Sequence, residues 1–259
     1  MTILDQLADH ARQRAAACKA VLPLAEVRRQ CEALPKGSFA LDAALAKPGL
    51  SFICECKKAS PSKGLIAPEF PYLQIARDYE AAGADAISVL TEPKWFLGSD
   101  QYLQDIAAAV DIPCLRKDFT VDEYMIYQAK VLGASAVLLI CSLLKEGEIR
   151  DSIALCDTLG LSALVEAHDE DEVKMALRAG ARVIGVNNRN LKTFSVDTEN
   201  SKRLRALLPP DVLFVSESGV RSAQDVAELR AIGADAVLIG ETLMRAADKH
   251  AKLAELRGV

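Results

Sequence analysis

Histidine is scarce in this 259-residue chain: His10, His168 and His250 are the only three, and they form no metal-ligand spacing. Neither a histidine zinc site nor a histidine-based nucleophile triad has support, and no metal is expected. The cysteines, Cys18, Cys31, Cys54, Cys56, Cys114, Cys141 and Cys156, are odd in number and include no Cys-x-x-Cys pair. They read as reduced, buried apolar residues rather than as a disulfide framework. No apolar run approaches the roughly 18 residues of a membrane span. The start, Met1-Thr2-Ile3-Leu4-Asp5, lacks the basic and apolar regions of a signal peptide, so a cytoplasmic protein without a membrane partner is expected. Positive charge is in deficit as well: the net charge is −5 and the pI about 5.4, which argues against a nucleic-acid partner. No Gly-x-Gly-x-x-Gly follows the first apolar run, so the dinucleotide fingerprint is missing.

What the chain does contain is a repeat. A helix-like segment ends in Gly-Ala and an apolar run follows, at 82–90, 132–140, 179–186 and 232–239, with a period of about 50 residues. Each glycine suits the left-handed cap that stops a helix before a turn into a strand. Four further strand candidates, 52–56, 112–116, 161–165 and 212–215, lie between, which makes eight. The intervening segments carry helix periodicity, as in Tyr72, Ile75, Ala76 and Tyr79 behind Pro71. Continuously apolar strands alternating with one-faced helices imply a parallel sheet covered by helices. Eight such units match a closed (β/α)8 TIM barrel, α/β in class, better than an open doubly wound sheet. Residues 1–48 read as an N-terminal helical extension packed on the barrel, 49–259 as the barrel itself, and no linker divides the chain.

Barrel enzymes keep their chemistry at the C-terminal strand ends, and here those ends are polar. Glu55 and Lys57 share one face of the first strand, because side chains alternate, while Cys54 and Cys56 point to the other. A solvated pair worth under about 1 kcal/mol would be the plain reading of such residues. The event recurs, however, at Lys117, Glu166, Asn187 and Glu217, and strand parity sets Glu166 with Leu164 and Asn187 with Gly185. Asp118, Thr120 and Asp169 read as helix caps, and His168 as a loop or capping residue. After the seventh and eighth strands, Ser218-Gly219-Val220 and Gly240-Glu241-Thr242 each place a glycine before a helix start, which suits an anion such as phosphate.

Together, 55–64 (Glu-Cys-Lys-Lys-Ala-Ser-Pro-Ser-Lys-Gly), 115–119 (Leu-Arg-Lys-Asp-Phe), 164–168 (Leu-Val-Glu-Ala-His), 184–191 (Ile-Gly-Val-Asn-Asn-Arg-Asn-Leu) and 216–220 (Ser-Glu-Ser-Gly-Val) resemble indole-3-glycerol phosphate synthase of tryptophan biosynthesis. The resemblance spans the chain, including Thr2-Ile3-Leu4-Asp5, Thr91-Glu92, Phe96 and Gly98-Ser99. It implies a phosphorylated small-molecule substrate, 1-(2-carboxyphenylamino)-1-deoxyribulose 5-phosphate, and a product, indole-3-glycerol phosphate, formed with loss of carbon dioxide and water. No cofactor is implied, and a monomer or weak homodimer is expected.

Ring closure requires an aromatic carbon to attack a ketone carbon, so a cationic acid must protonate the ketone oxygen. Lys117 is expected to be that acid, in an electropositive mouth shared with Lys57 and Arg189 that would lower its pKa. Glu166 and Glu55 suit the acid and the base of the dehydration, in which a ring N–H proton is taken; Lys57 would hold an anion or exchange roles with Lys117, and the sequence does not order the two lysines. The resemblance further implies that Asn187 binds a substrate hydroxyl and that Arg189 and Ser60 bind the carboxylate. It also implies that Phe96, Phe119 and Leu138 wall the aromatic ring, that Glu217 contacts substrate, and that Ser218, Gly219, Gly240 and Glu241 form the phosphate end. Glu241 stands where some relatives carry serine, so its carboxylate must turn away, and Ala11-Arg12-Gln13-Arg14 is less acidic than is common. The alternatives are a phosphoribosylanthranilate isomerase-like barrel or a Schiff-base aldolase using Lys57 or Lys117, the latter separable by borohydride trapping.

Overall fold

The structure, a computed structural model, describes residues 2–190 and 193–258. Met1, Val259 and Leu191, the last residue of the motif 184–191, lie outside the described residues. Three helices come first: α1 (Ile3–Val21), α2 (Leu24–Glu32) and α3 (Ala40–Leu45). α1 starts at a reciprocal capping box, in which the Thr2 hydroxyl accepts from the Asp5 N–H and the Asp5 carboxylate accepts from the Thr2 N–H. It stops where Leu22, ahead of Pro23, turns extended, as a residue before proline prefers.

β1 (Ser51–Cys56) follows, and the loop beyond it carries a short antiparallel hairpin, β2 (Ala59–Ser60) with β3 (Gly64–Leu65). Helices and strands then alternate: α4 (Tyr72–Ala81), β4 (Ala86–Leu90), α5 (Asp100–Ala109), β5 (Cys114–Lys117), α6 (Glu123–Val131), β6 (Ala136–Ile140), α7 (Glu146–Leu159) and β7 (Ser162–Ala167). The second half comprises α8 (Glu170–Arg178), β8 (Val183–Asn187), α9 (Glu199–Arg205), β9 (Leu213–Glu217), α10 (Ala223–Ala231), β10 (Ala236–Ile239), α11 (Glu241–Arg245) and α12 (Lys249–Arg257). All strands but the hairpin close one parallel barrel in the order β1-β10-β9-β8-β7-β6-β5-β4, the expected TIM barrel. The repeat glycines Gly83, Gly133, Gly180 and Gly233 are left-handed, with φ between 74° and 88°, so each ends its helix as the sequence implies.

Three strands run further than their apolar residues. β5, β7 and β9 extend through Lys117, Glu166 and Glu217, which pair with Leu90, Ile140 and Asn187 on neighbouring strands. Hydrophobicity marks where a strand is coated in apolar side chains, whereas the ladder is a backbone matter and continues under polar ones. The side chains divide by parity. Phe52, Cys54 and Cys56 face the outer core against the helices, while Ile53, Leu115, Leu164 and Val215 fill the interior.

The N-terminal segment touches both ends of this interior. Leu41 and Leu45 of α3 join the cluster of Ala86, Val183 and Ala236 at the strand starts, and Ser51 and Ser162 hydrogen-bond the α3 backbone there. At the opposite end Ile3, Leu4 and Leu7 of α1 line the mouth. α1 is held by a hydrogen bond between His10 Nδ1 and Glu92 and by ion pairs from Arg14 to Asp118 and Lys19 to Asp122.

Candidate active site

TIM barrels fill their interior with layers of four side chains from alternate strands. Ile53, Leu115, Leu164 and Val215 come from β1, β5, β7 and β9 and form one apolar set. Two residues further along the same strands stand Glu55, Lys117, Glu166 and Glu217, so the next layer toward the mouth is ionisable. Three acids and one amine, each acid no more than 4% exposed, are therefore stacked on an apolar floor. Lys117 Nζ lies 3.0 Å from Glu166 Oε2 and 3.3 Å from Glu217 Oε2. Lys57 Nζ donates to Glu55 Oε1 at 2.6 Å, inside the mouth rather than in solvent.

Two glycines make room for this layer. A Cβ on Gly185 of β8 would overlap Glu217 Oε1, and one on Gly240 would overlap Glu55 Oε1 and Lys57 Nζ. Gly240 thus has a task at the acid/base pair besides any at the phosphate end.

The electropositive setting expected for Lys117 is not found. Burial pulls its ammonium down, but Glu166, Glu217 and Glu55 overcome that and hold it above the ordinary lysine range. The acids part company. For Glu166, burial is outweighed by Lys117, by His168 and by the hydrogen bonds from Lys117 and Asn187, so its carboxyl is held below the ordinary range. For Glu217, burial and the Glu166 charge prevail over Lys117, so its carboxyl is pushed up. Its Oε1 has no hydrogen-bond partner among the described residues. Beside the ammonium, Glu166 is thus the carboxyl held toward its ionised form and Glu217 the one held toward its protonated form.

Asn187 donates from Nδ2 to Glu166 Oε1 at 3.2 Å, and its Oδ1 accepts from the Arg189 N–H and the Ser218 hydroxyl. The Ser218 hydroxyl is thus engaged with Asn187. Around the layer is a cavity of about 750 Å³ lined by Ser60, Phe96, Phe119, Leu138, Asn187, Arg189, Gly219, Gly240 and Glu241 together with the four ionisable residues. Phe96 and Phe119 lie with ring centroids 6.0 Å apart. Every residue singled out from the sequence is brought to this one cavity.

At its far end Thr242 donates to the Val220 carbonyl at 2.6 Å, tying the loops after β9 and β10 together. Glu241 turns aside, to Arg245 Nε at 3.0 Å and Lys63 Nζ at 3.5 Å. Lys63, Arg221 and Arg245 line the same cavity and were not legible as site residues; Arg245, four residues beyond Glu241 on one helix face, was the available signal. Asp169 caps α8 as expected, but Asp118 is no simple cap: it accepts from both Arg14 amino groups, from Thr91 and from the Phe119 N–H. His168 is not a plain loop residue either, since its Nε2 lies 3.5 Å from Glu166 Oε1.

The family profile described as "Indole-3-glycerol phosphate synthase" matches residues 4–256. The protein of that name from Ruminiclostridium cellulolyticum is 59% identical over 257 residues, covering 99% of both chains. Its namesake from Leuconostoc mesenteroides is 49% identical over 259 residues, again covering 99% of both. Among solved structures, 3-hexulose-6-phosphate synthase from Salmonella typhimurium superposes with a TM-score of 0.65 at 15% identity, over 81% of this chain and 97% of that one, a likeness of fold.

Proposed function

Because the chain belongs to the indole-3-glycerol phosphate synthase family, and so closes, decarboxylates and dehydrates 1-(2-carboxyphenylamino)-1-deoxyribulose 5-phosphate, we propose that the ionisable layer of the barrel divides those steps among its members. Lys117 protonates the ketone oxygen while the ring carbon bearing the carboxylate attacks the ketone carbon. An ammonium held firmly protonated is suited to meet an oxygen as it turns anionic. Carbon dioxide then leaves with its bonding electrons returned to the ring, which restores aromaticity.

Dehydration adds one proton to the hydroxyl and removes one from the new ring. Glu166 delivers the first, drawing on the proton that rests on Glu217; Glu55, paired with Lys57, takes the second. The observation that carries this reading is one ammonium set between two buried carboxyls, 3.0 Å from Glu166 and 3.3 Å from Glu217. Asn187 orients a substrate hydroxyl, Ser60 and Arg189 receive the carboxylate, and Phe96, Phe119 and Leu138 hold the ring. The phosphate belongs between the backbone N–H groups of 218–219 and 240–241, where Lys63, Arg221 and Arg245 supply positive charge.

A Schiff-base role suits neither lysine, since a nucleophilic amine must be neutral and both are ion-paired to carboxylates. The free cysteines support a reducing, cytoplasmic setting, and the same reading takes the protein as a monomer or weak homodimer, which light scattering would test. For the chemistry, Lys117→Ala should lower kcat at least about 10²-fold with the circular dichroism spectrum unchanged. Near-normal turnover would remove Lys117 from the mechanism.

A further inference from the structure

Beyond β7, His168 sits behind Glu166, and its hydrogen bonds fix its tautomer. The Ser142 hydroxyl spends its single proton on Glu172 Oε1 at 2.6 Å. His168 Nδ1 therefore faces two acceptors only, the Ser142 oxygen at 3.2 Å and Glu172 Oε2 at 3.1 Å, and must carry a hydrogen. The backbone N–H of His168 also donates to Glu172 Oε2, at 2.8 Å, so this carboxylate grips the residue twice. The Asn200 side chain donates to the His168 carbonyl at 3.0 Å and pins the backbone from α9.

The other ring nitrogen, Nε2, is buried without a hydrogen-bond partner among the described residues and points at Glu166 Oε1 from 3.5 Å. With the tautomer fixed, a neutral ring would aim a lone pair at a carboxylate, whereas a protonated ring aims N–H.

We propose that His168 is a positioning residue of the reaction: braced by Glu172 and Ser142, it presents Nε2–H to Glu166 and fixes that carboxylate from the side opposite Lys117. This rests on the acid role assigned above to Glu166. Oε2 of Glu166 belongs to Lys117 and Oε1 to Asn187 and His168, so the plane of the carboxylate is set from three strand ends. Without His168, a carboxylate 2% exposed would keep one oxygen under-solvated on that side.

The titratable groups facing the ring are acids, Glu172 from α8, Glu166 from β7 and Glu217 from β9, with the Lys117 ammonium beyond Glu166 and Glu217. Asp169, one residue on, caps α8. Burial alone would pull the imidazolium down, and these acids outweigh it, so the ring is held above the ordinary histidine range. Sign follows directly: protonation of His168 holds Glu166 ionised, and ionised Glu166 holds His168 protonated, a reciprocal coupling.

NMR titration of the imidazoles tests this on the intact chain, with only His10, His168 and His250 to assign. In the parent, the His168 midpoint should lie above that of a free histidine, and Glu166→Gln should lower it by at least half a unit, roughly a 3-fold weaker hold on the proton. His10 and His250 should not move. Glu172→Gln, which keeps the brace's shape and removes its charge, should lower the midpoint too. For activity, the parent should show a kcat inflection on the histidine titration; His168→Gln should abolish it, reduce kcat about 10-fold and leave KM within about 2-fold. A His168 midpoint indifferent to Glu166→Gln would overturn the proposal whether or not the variants turn over. So would a His168→Gln pH profile superposable on that of the parent. Failure of the Glu166 acid role itself would look different: kcat unaffected in Glu166→Gln with the midpoint still shifted.

Discussion

Neighbouring carboxyls in one barrel layer behave oppositely because their partners differ. Glu166 receives Lys117, Asn187 and His168, whereas Glu217 has Lys117 alone and an orphaned Oε1. An acid whose folded value is raised binds more protons folded than unfolded between its ordinary value of about 4.3 and the raised one. Stability from Glu217 is therefore greatest at low pH and is lost as pH rises through that window. Glu166 works the other way: its stabilisation is present above about pH 4.3 and is lost as pH falls through its depressed value. Glu217→Gln, neutral throughout, should remove the first loss. In denaturant unfolding between about pH 5 and pH 8, the variant should gain on the parent, by at most about 1.4 kcal/mol per pH unit. His168 also loses stabilisation as pH rises above its ordinary value; Glu172 and Glu166, its larger acidic partners, stay in both proteins, and only the part owed to Glu217 enters the difference. Parallel curves would mean that Glu217 is ionised in the resting site.

Elements hold those residues in place through gaps and clamps. β8 contributes a gap, since Gly185 leaves the space that Glu217 occupies. Gly185→Ala should push the carboxyl off the layer and lower kcat about 10-fold or more, with the barrel still folded; full kcat in a folded variant would show that the position of Glu217 is not critical. α1 contributes a clamp. Its Arg14 reaches Asp118 at 2.6 Å, next to Lys117, and Asp118 is 1% exposed. Arg116, behind it on the outer face of β5, donates to Thr91, Met125, Asp100 and Gln128 and stands farther from Asp118, at 3.9 Å. Arg14→Met should leave the Asp118 charge short of partners and cost about 1–3 kcal/mol in unfolding free energy. No change in stability would make α1 a loosely attached flap rather than part of the site wall. Gly219, by contrast, is a poor place to test the phosphate end by adding bulk: its φ is 103° and a Cβ there would crowd Thr198 and Val196, so strain and lost binding would be confounded.

At the scale of the molecule, the barrel was legible because its signal is local and repeated: a glycine that ends each helix and an apolar run that must be buried. The candidate site residues were legible in part from parity, which puts Glu55 with Lys57, Glu166 with Leu164 and Asn187 with Gly185, and for the rest from the strand ends and the family resemblance. Their electrostatics were not. The charge around Lys117 is a sum over β1, β7 and β9, residues far apart in sequence, and only the closed ring shows that acids outnumber the amine. The brace on His168 was hidden for the same reason, as Ser142 and Glu172 reach it from separate elements. Lys63, Arg221 and Arg245 were hidden because exposed-looking charges on loops read as solvated until a cavity is seen between them.

The whole arrangement stands on ring closure by an ammonium acid without a covalent enzyme intermediate. The most direct test is to mix the purified chain with 1-(2-carboxyphenylamino)-1-deoxyribulose 5-phosphate and follow indole fluorescence and released carbon dioxide, and to quench a parallel sample with borohydride for mass spectrometry of the protein. One carbon dioxide per indole, with the quenched protein at its unmodified mass, is the expected result. No indole from the folded chain, or a borohydride-trapped lysine adduct, would contradict it.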